Sequence, residues 1–177
     1  MPIAIAVRRA TPADLMQVLD LCALLDAADE PRLSVAAAEA RFSELMAREG
    51  HDIYVAEAEG EVVGTFALVF IGGLAHTARD SAVVEDMAVA AGRQGSGIGR
   101  QMIEFAMQQC ALRGCYKLAL SSHLRRSAAH RFYEGLGFRK HGYSYLIDGS
   151  VANARSDPPA SEEEPTKEID NAASPHT

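Results

Sequence analysis

Seven consecutive residues, Gln94-Gly95-Ser96-Gly97-Ile98-Gly99-Arg100, place three glycines in five positions directly before the apolar run Met102, Ile103, Phe105, Ala106 and Met107. That run repeats at helical spacing, which sets the glycines at a helix N-terminus. Free N–H groups and the positive end of the helix dipole favour an anion there, and glycines let it approach the backbone closely. Just upstream, Ser81 to Val89 has β character. Strand, glycine turn and helix make a pyrophosphate cradle. Two common cradles are excluded. A P-loop requires Lys and Ser or Thr after its last glycine, and Arg100-Gln101 stand there. A dinucleotide fingerprint requires G-x-G-x-x-G and an acid about 20 residues on; Gly95-x-Gly97-x-Gly99 is spaced differently, and the strand Tyr116 to Leu120 carries no acid.

A second pattern lies downstream, Ala128-Ala129-His130-Arg131-Phe132-Tyr133-Glu134-Gly135-Leu136-Gly137-Phe138. Gln94 to Gly99 resembles the [RQ]-x-x-G-x-[GA] acetyl-coenzyme A motif of the GNAT superfamily of N-acetyltransferases. The second pattern is similar to the A-x-x-F-Y-x-x-x-G-F signature of the same family. The two stand in the family's order and at its separation, and the resemblance covers roughly Ile5 to Tyr145. It implies acetyl-CoA as co-substrate, with its pyrophosphate on backbone N–H groups at Gln94, Gly95, Gly97, Gly99 and Arg100. It also implies backbone contacts from Met87 and Val89 to the pantetheine arm and acetyl carbonyl, an oxyanion donor worth ~3 kcal/mol.

By the same resemblance Tyr133 protonates the departing thiolate, for which a phenol with pKa near 10 is suited. Glu85 and Asp86 are adjacent acids in an apolar strand, so alternation sends them to opposite faces and one of them to the substrate cleft. Glu85 is the first choice to bind the ammonium and take its proton, Asp86 the second. The Glu-Asp-hydrophobic-x-Val string and Gly114-Cys115-Tyr116-Lys117 resemble glucosamine-phosphate acetyltransferases. Leu120 to Tyr133 and Leu74 to Val89 look most like the aminoalkylphosphonate N-acetyltransferase branch. Arg126 stands where the family often has Asn. It is assigned to the coenzyme, with its 3′-phosphate as the contact, while an anionic group on the substrate is the alternative. The function implied is direct acetyl transfer to a primary amine of a small molecule in a ternary complex. A protein or peptide acceptor, or a coenzyme-binding sensor without turnover, are the alternatives. The loops Ala27 to Arg32 and Gly72 to Asp80 would separate pocket from groove.

Stepping along the chain, a first strand is expected from Ile3 to Arg9. Thr11-Pro12-Ala13-Asp14 then starts a helix with Leu15, Val18, Leu19, Cys22 and Leu25 on one face. Ser34 caps a second helix that turns Val35, Ala38, Phe42, Leu45 and Met46 inward. Ile53 to Glu57 and Val62 to Phe70 pair through a hairpin at Glu59-Gly60. After the central strand and cradle helix come a strand Cys115 to Ser121, a helix Ser127 to Leu136 and a last strand Phe138 to Leu146. This is the order of the GNAT fold: α/β (α+β), with a central mixed, mostly antiparallel sheet flanked by helices.

The 177 residues suffice for one domain, expected over 1–149. From 150 to 177 six acids face only Arg155 and Lys167, four prolines intervene, and little is available to bury, so an acidic disordered tail is expected. A net charge of −7 argues against nucleic acid. No apolar stretch reaches the ~20 residues of a membrane span. The N-terminal charges follow a short apolar run, the reverse of a signal peptide, so a cytoplasmic location is expected. Cys22, Cys110 and Cys115 lack ligand spacing, and His76, His123 and His130 form no H-x-x-x-H pattern, so no metal is expected. A homodimer is left open.

Overall fold

The computed structural model describes residues 4–25 and 33–147. The expected tail over 150–177 and the loop at 27–32 lie outside the described residues. The chain divides into two units, Met1–His141 and Gly142–Thr177. The first holds β1 (Ile5–Arg9), α1 (Leu15–Cys22), α2 (Val35–Ala47), β2 (His51–Ala58), β3 (Glu61–Ile71), a short turn α3 (Ala75–Ala78), β4 (Ser81–Val89), α4 (Ile98–Leu112), β5 (Lys117–Leu120) and α5 (Ser127–Gly135). The five strands form one sheet in the order β1-β2-β3-β4-β5. All neighbours are antiparallel except β4 and β5, which run parallel. This is the mixed, mostly antiparallel sheet that the sequence implies.

Two local devices start the helices. The Asp14 carboxylate accepts hydrogen bonds from the Thr11 N–H and hydroxyl, each 2.8 Å, and closes the turn that leads into α1. Ser34 Oγ accepts from the Ala37 N–H at 3.3 Å and caps α2. The sheet is covered on both faces, which explains why β2 and β3 are apolar nearly throughout. On one face Ile98, Met102, Ile103, Ala106 and Cys110 of α4 pack on Tyr54, Ala56, Phe66, Leu68 and Val84. On the other, Leu15 and Val18 of α1 and Ala38 and Phe42 of α2 pack on Ile53 and Val55. The faces differ in detail from the sequence reading. Leu21 is buried in α1, whereas Leu19 and Cys22 are half-buried, and Val35 is exposed.

The expected last strand over Phe138 to Leu146 does not form, since residues 138–147 carry no strand. Phe138 is used otherwise. Its N–H bonds to the Tyr133 carbonyl at 3.1 Å, and its ring meets Tyr133 edge-on at 5.8 Å, so it finishes α5. In the second unit the described residues Gly142–Ile147 leave Tyr143, Tyr145, Leu146 and Ile147 exposed.

Candidate active site

The parallel pair β4–β5 is bonded only from Ser81↔Lys117 to Val84↔Leu120. Beyond Val84 the β5-side edge of β4 has no strand partner among the described residues, and β5 ends at Leu120. A crevice at the carboxyl ends of parallel strands is where open α/β sheets bind ligands. A cleft of about 350 Å³ opens at this fork, at the small end of the range for small-molecule sites. Glu85, Asp86 and Met87 line it from β4, Ser121, Ser122 and His123 from the segment after β5, Arg126 from just before α5, and Tyr133 from α5.

Both acids reach this one cleft, against the expectation of opposite faces. The reason is a β-bulge. Thr65 faces Ala88 and Ala67 faces Glu85, so one residue of β3 opposes two of β4, and strict alternation is lost. Asp86 sits inside the bulge with φ at 50°, a left-handed conformation that costs a non-glycine residue ~1–2 kcal/mol. Burial, and then the neighbouring Asp86 charge, raise the Glu85 pKa above the ordinary carboxylate value. Among the described residues neither acid has an ion-pair partner.

The glycine segment lies next to the cleft but does not line it. Gly97 is the residue that flanks α4, with φ at 89°, a conformation that favours glycine. Among the described residues no side chain caps this helix, and the Gln101 N–H bonds to the Gly97 carbonyl at 3.2 Å. The N–H groups of Ile98, Gly99 and Arg100 are thereby left for an anion. The Gln94 side chain donates to the Val89 carbonyl at 3.3 Å and holds the loop to the end of β4. Arg100 lies 3.6 Å from Glu104 on its own helix. Gly99 has a packing reason as well: a Cβ there would stand 3.2 Å from the Phe132 ring and 3.5 Å from the Met87 methyl.

Tyr133 is fixed by the end of its helix. The Gly137 N–H bonds to the Glu134 carbonyl at 3.0 Å and the Phe138 N–H to the Tyr133 carbonyl, with Gly137 left-handed at φ 92°. This is a Schellman motif with its hydrophobic contact, and it gives F-Y-x-x-x-G-F a physical meaning. The Tyr133 hydroxyl donates to Met87 Sδ at 3.6 Å. Burial raises its pKa, and the Arg126 charge opposes that rise. Met87 therefore separates two features, with the first turn of α4 on one side and the phenol on the other.

Arg126 falls among the cleft residues and not with the glycines. The loop Gly72 to Asp80 precedes β4 and contributes nothing to the lining, because the cleft opens beyond the paired half of that strand. Ser121, Ser122 and His123 are lining residues that the sequence reading did not assign there. Their signal was their place directly after the strand that follows the cradle helix. Among the described residues no three His, Cys, Asp or Glu side chains gather into a metal site. Among the same residues no helix is long and apolar enough to cross a membrane.

A family model described as the acetyltransferase (GNAT) family matches residues 18–138. The chain belongs to the GNAT acetyltransferase family. As a member it is an acyltransferase enzyme of a family that uses acetyl-CoA. It is 28% identical over 96 residues to the glucosamine 6-phosphate N-acetyltransferase of Trypanosoma brucei brucei, a match over 54% of this chain and 63% of that protein. It thus spans somewhat less than two thirds of that relative. Among solved structures it is similar to a presumed acetyltransferase from Agrobacterium tumefaciens str. C58, at 31% identity and TM-score 0.76, over 81% of this chain and 99% of that one. It is also similar to an acetyltransferase of Trypanosoma brucei, at 27% identity and TM-score 0.71, over 82% and 99% of the two chains. The aminoalkylphosphonate branch, to which the motifs look most similar, is not among these relatives.

Proposed function

We propose that this GNAT enzyme transfers acetyl from acetyl-CoA to a primary amine of a small molecule, directly within a ternary complex. The observation that carries the reading is Met87 between the uncapped first turn of α4 and the Tyr133 hydroxyl. A pyrophosphate held by the N–H groups of Gly97 to Arg100 would send its attached chain along the bare edge of Glu85 to Val89, past Met87, to the phenol. Bound there, acetyl-CoA supplies an activated acetyl thioester.

The residues divide the remaining work. Backbone N–H groups at Met87 and Val89 stabilise negative charge as it develops on the acetyl oxygen. Glu85, its basicity increased by burial and by Asp86, binds the substrate ammonium and accepts its proton directly or through water. Tyr133 gives its proton to the sulfur as the carbon–sulfur bond breaks. The small cleft volume favours a metabolite over a protein acceptor. The sugar-phosphate acetyltransferase among the relatives supports the same choice.

The test is coenzyme A release over a panel of amines, aminosugars, aminoglycosides and peptides, paired with calorimetry on Gly97→Val. A side chain at this left-handed position obstructs the helix terminus. Acetyl-CoA binding is expected to be lost while the circular dichroism spectrum stays that of the folded enzyme. Tight binding by the folded variant would remove the cradle from the site.

A further inference from the structure

The end of α4 is built on the same plan as the end of α5. The Cys115 N–H bonds to the Cys110 carbonyl at 2.9 Å and the Gly114 N–H to the Ala111 carbonyl at 3.1 Å, with Gly114 left-handed at φ 70°. This is a second Schellman motif, and such a motif brings together the side chains at the two ends of its longer bond. In α5 those side chains are the rings of Tyr133 and Phe138. In α4 they are two cysteines, and their thiols lie in hydrogen-bonding contact.

Covalent geometry permits a bond between them. Across a hydrogen bond of 2.9 Å the α-carbons of Cys110 and Cys115 stand at most ~6.8 Å apart, inside the span that a disulfide bridges. The turn is also pinned from outside. Arg113 Nε donates to the Asp80 carboxylate at 3.0 Å, and the Tyr116 N–H bonds to the Asp80 carbonyl at 2.9 Å. Neither cysteine lines the cleft, so acetyl transfer leaves both unused. The two differ in access, since Cys110 is buried and Cys115 half-buried. Burial first, and then Cys115, push the Cys110 thiol up to about 12, so at neutral pH it keeps its proton and does not open a reaction with an oxidant. An oxidant from solvent meets Cys115 first.

We infer that Cys110 and Cys115 are a redox modification site, a dithiol that a peroxide converts to an intrachain disulfide on the native turn. The Cys115 sulfur, as thiolate, attacks a peroxide oxygen. The O–O bond breaks, water leaves, and Cys115 becomes a sulfenic acid. The Cys110 sulfur then attacks the Cys115 sulfur, the S–O bond breaks as the S–S bond forms, and the Cys110 proton departs with the hydroxyl as a second water. Two thiols have thus given two electrons to one peroxide. A dithiol reductant reverses the bond by exchange. Closing it spares Cys115 the irreversible acids beyond sulfenic acid, and ties the cradle helix to the start of β5 without moving either. The site is independent of the acetyl-transfer reading.

The test treats the folded, reduced wild-type protein with hydrogen peroxide, alkylates the remaining thiols and digests with trypsin. Cleavage after Arg100, Arg113 and Lys117 separates Gln101–Arg113 from Gly114–Lys117, so only an S–S bond can hold these two peptides together. The linked pair is expected by mass spectrometry, released by dithiothreitol, with free thiols falling from three to one and the circular dichroism spectrum unchanged. In Cys110→Ala, Cys115 has no resolving partner, and the same treatment is expected to carry it several-fold further to the sulfinic acid. A wild type in which Cys115 reaches the sulfinic acid with Cys110 still a thiol would overturn the site. So would a bond from either cysteine to Cys22 or to a second chain, or a linked pair that forms only in denaturant. The peptide map of the wild type decides the matter even if Cys110→Ala fails to fold.

Discussion

Asp14 and Glu85 are carboxylates that this fold treats in opposite ways. Asp14 is buried where β1 passes into α1, and Arg8 grips it with two hydrogen bonds of 2.8 Å while Thr11 adds two more. The Arg8 contact, followed by the Thr11 bonds, holds its pKa well below the usual carboxylate range despite burial. Glu85 stands in the cleft with no ion-pair partner among the described residues, and burial with the Asp86 charge pushes its pKa up. A carboxylate that accepts four hydrogen bonds, two of them from a guanidinium, is a fastener. One that is partly desolvated and unengaged has basicity left for a ligand or a proton. The contrast marks the two sites without reference to any relative.

The largest effect expected from breaking the contrast is at the fastener. Asp14→Ala strands much of the Arg8 guanidinium, which keeps Glu57 at 2.9 Å and the Arg9 carbonyl at 3.4 Å, and leaves the Thr11 N–H unanswered. A loss of about 3 kcal/mol is expected, the low end for breaking a buried pair because Arg8 remains partly exposed. Denaturant titration reads that loss, while kcat of the folded fraction stays near wild type. An unchanged midpoint would show the Arg8–Asp14 pair to be without net value.

Tyr133→Phe comes next and works the other way. Among the described residues the hydroxyl bonds only a thioether sulfur, a weak acceptor, so removing it is expected to change stability by less than ~0.5 kcal/mol. As the group that protonates the leaving sulfur, its loss is expected to lower kcat by roughly 10²-fold with acetyl-CoA affinity retained. Wild-type turnover would return Tyr133 to the role of a packing ring beside Phe132 and Phe138.

Most of the elements behind this comparison could be read from the sequence because their signals are local. Thr11-Pro12-x-Asp14, Ser34 and the glycines after β4 each fix a terminus by their own chemistry, and the structure places helices there. The parallel β4–β5 pair and the two covered faces follow from that order. What could not be read depends on pairing. The bulge that turns Glu85 and Asp86 into one cleft is a register shift between β3 and β4, invisible in either strand alone. The absent last strand is a case of competition, in which Phe138 reads as the start of a strand but also completes the Schellman motif that holds Tyr133. Ser121, Ser122 and His123 become lining residues only because the β4–β5 pairing stops at Leu120.

The smallest effects come from Glu85→Gln, and they sharpen the contrast most because they have a sign. Glu85 has a raised pKa in the folded state, so its ionised form opposes folding, and protonation relieves that opposition as pH falls through the raised value towards the unfolded one. Asp14 has a lowered pKa, so its contribution is complete above the unfolded value near 4 and is lost only as pH falls below that. Glu85→Gln is therefore expected to stabilise the protein slightly at pH 7, by no more than ~0.5 kcal/mol, with the gain gone below about pH 4. Asp14→Asn should show the reverse, a deficit at neutral pH that shrinks only in acid below that value. Turnover supplies the second readout. Glu85→Gln is expected to lower kcat/KM by about ten-fold where the substrate arrives as an ammonium ion, short of the usual hundred-fold because Asp86 stands in the same cleft. The loss should fade as pH rises and free amine becomes abundant. Chemical denaturation and steady-state rates from pH 4 to 9 measure both. A Glu85→Gln enzyme that is less stable at pH 7 and has an unaltered rate profile would make Glu85 a second fastener, and the distinction between the two carboxylate sites would collapse.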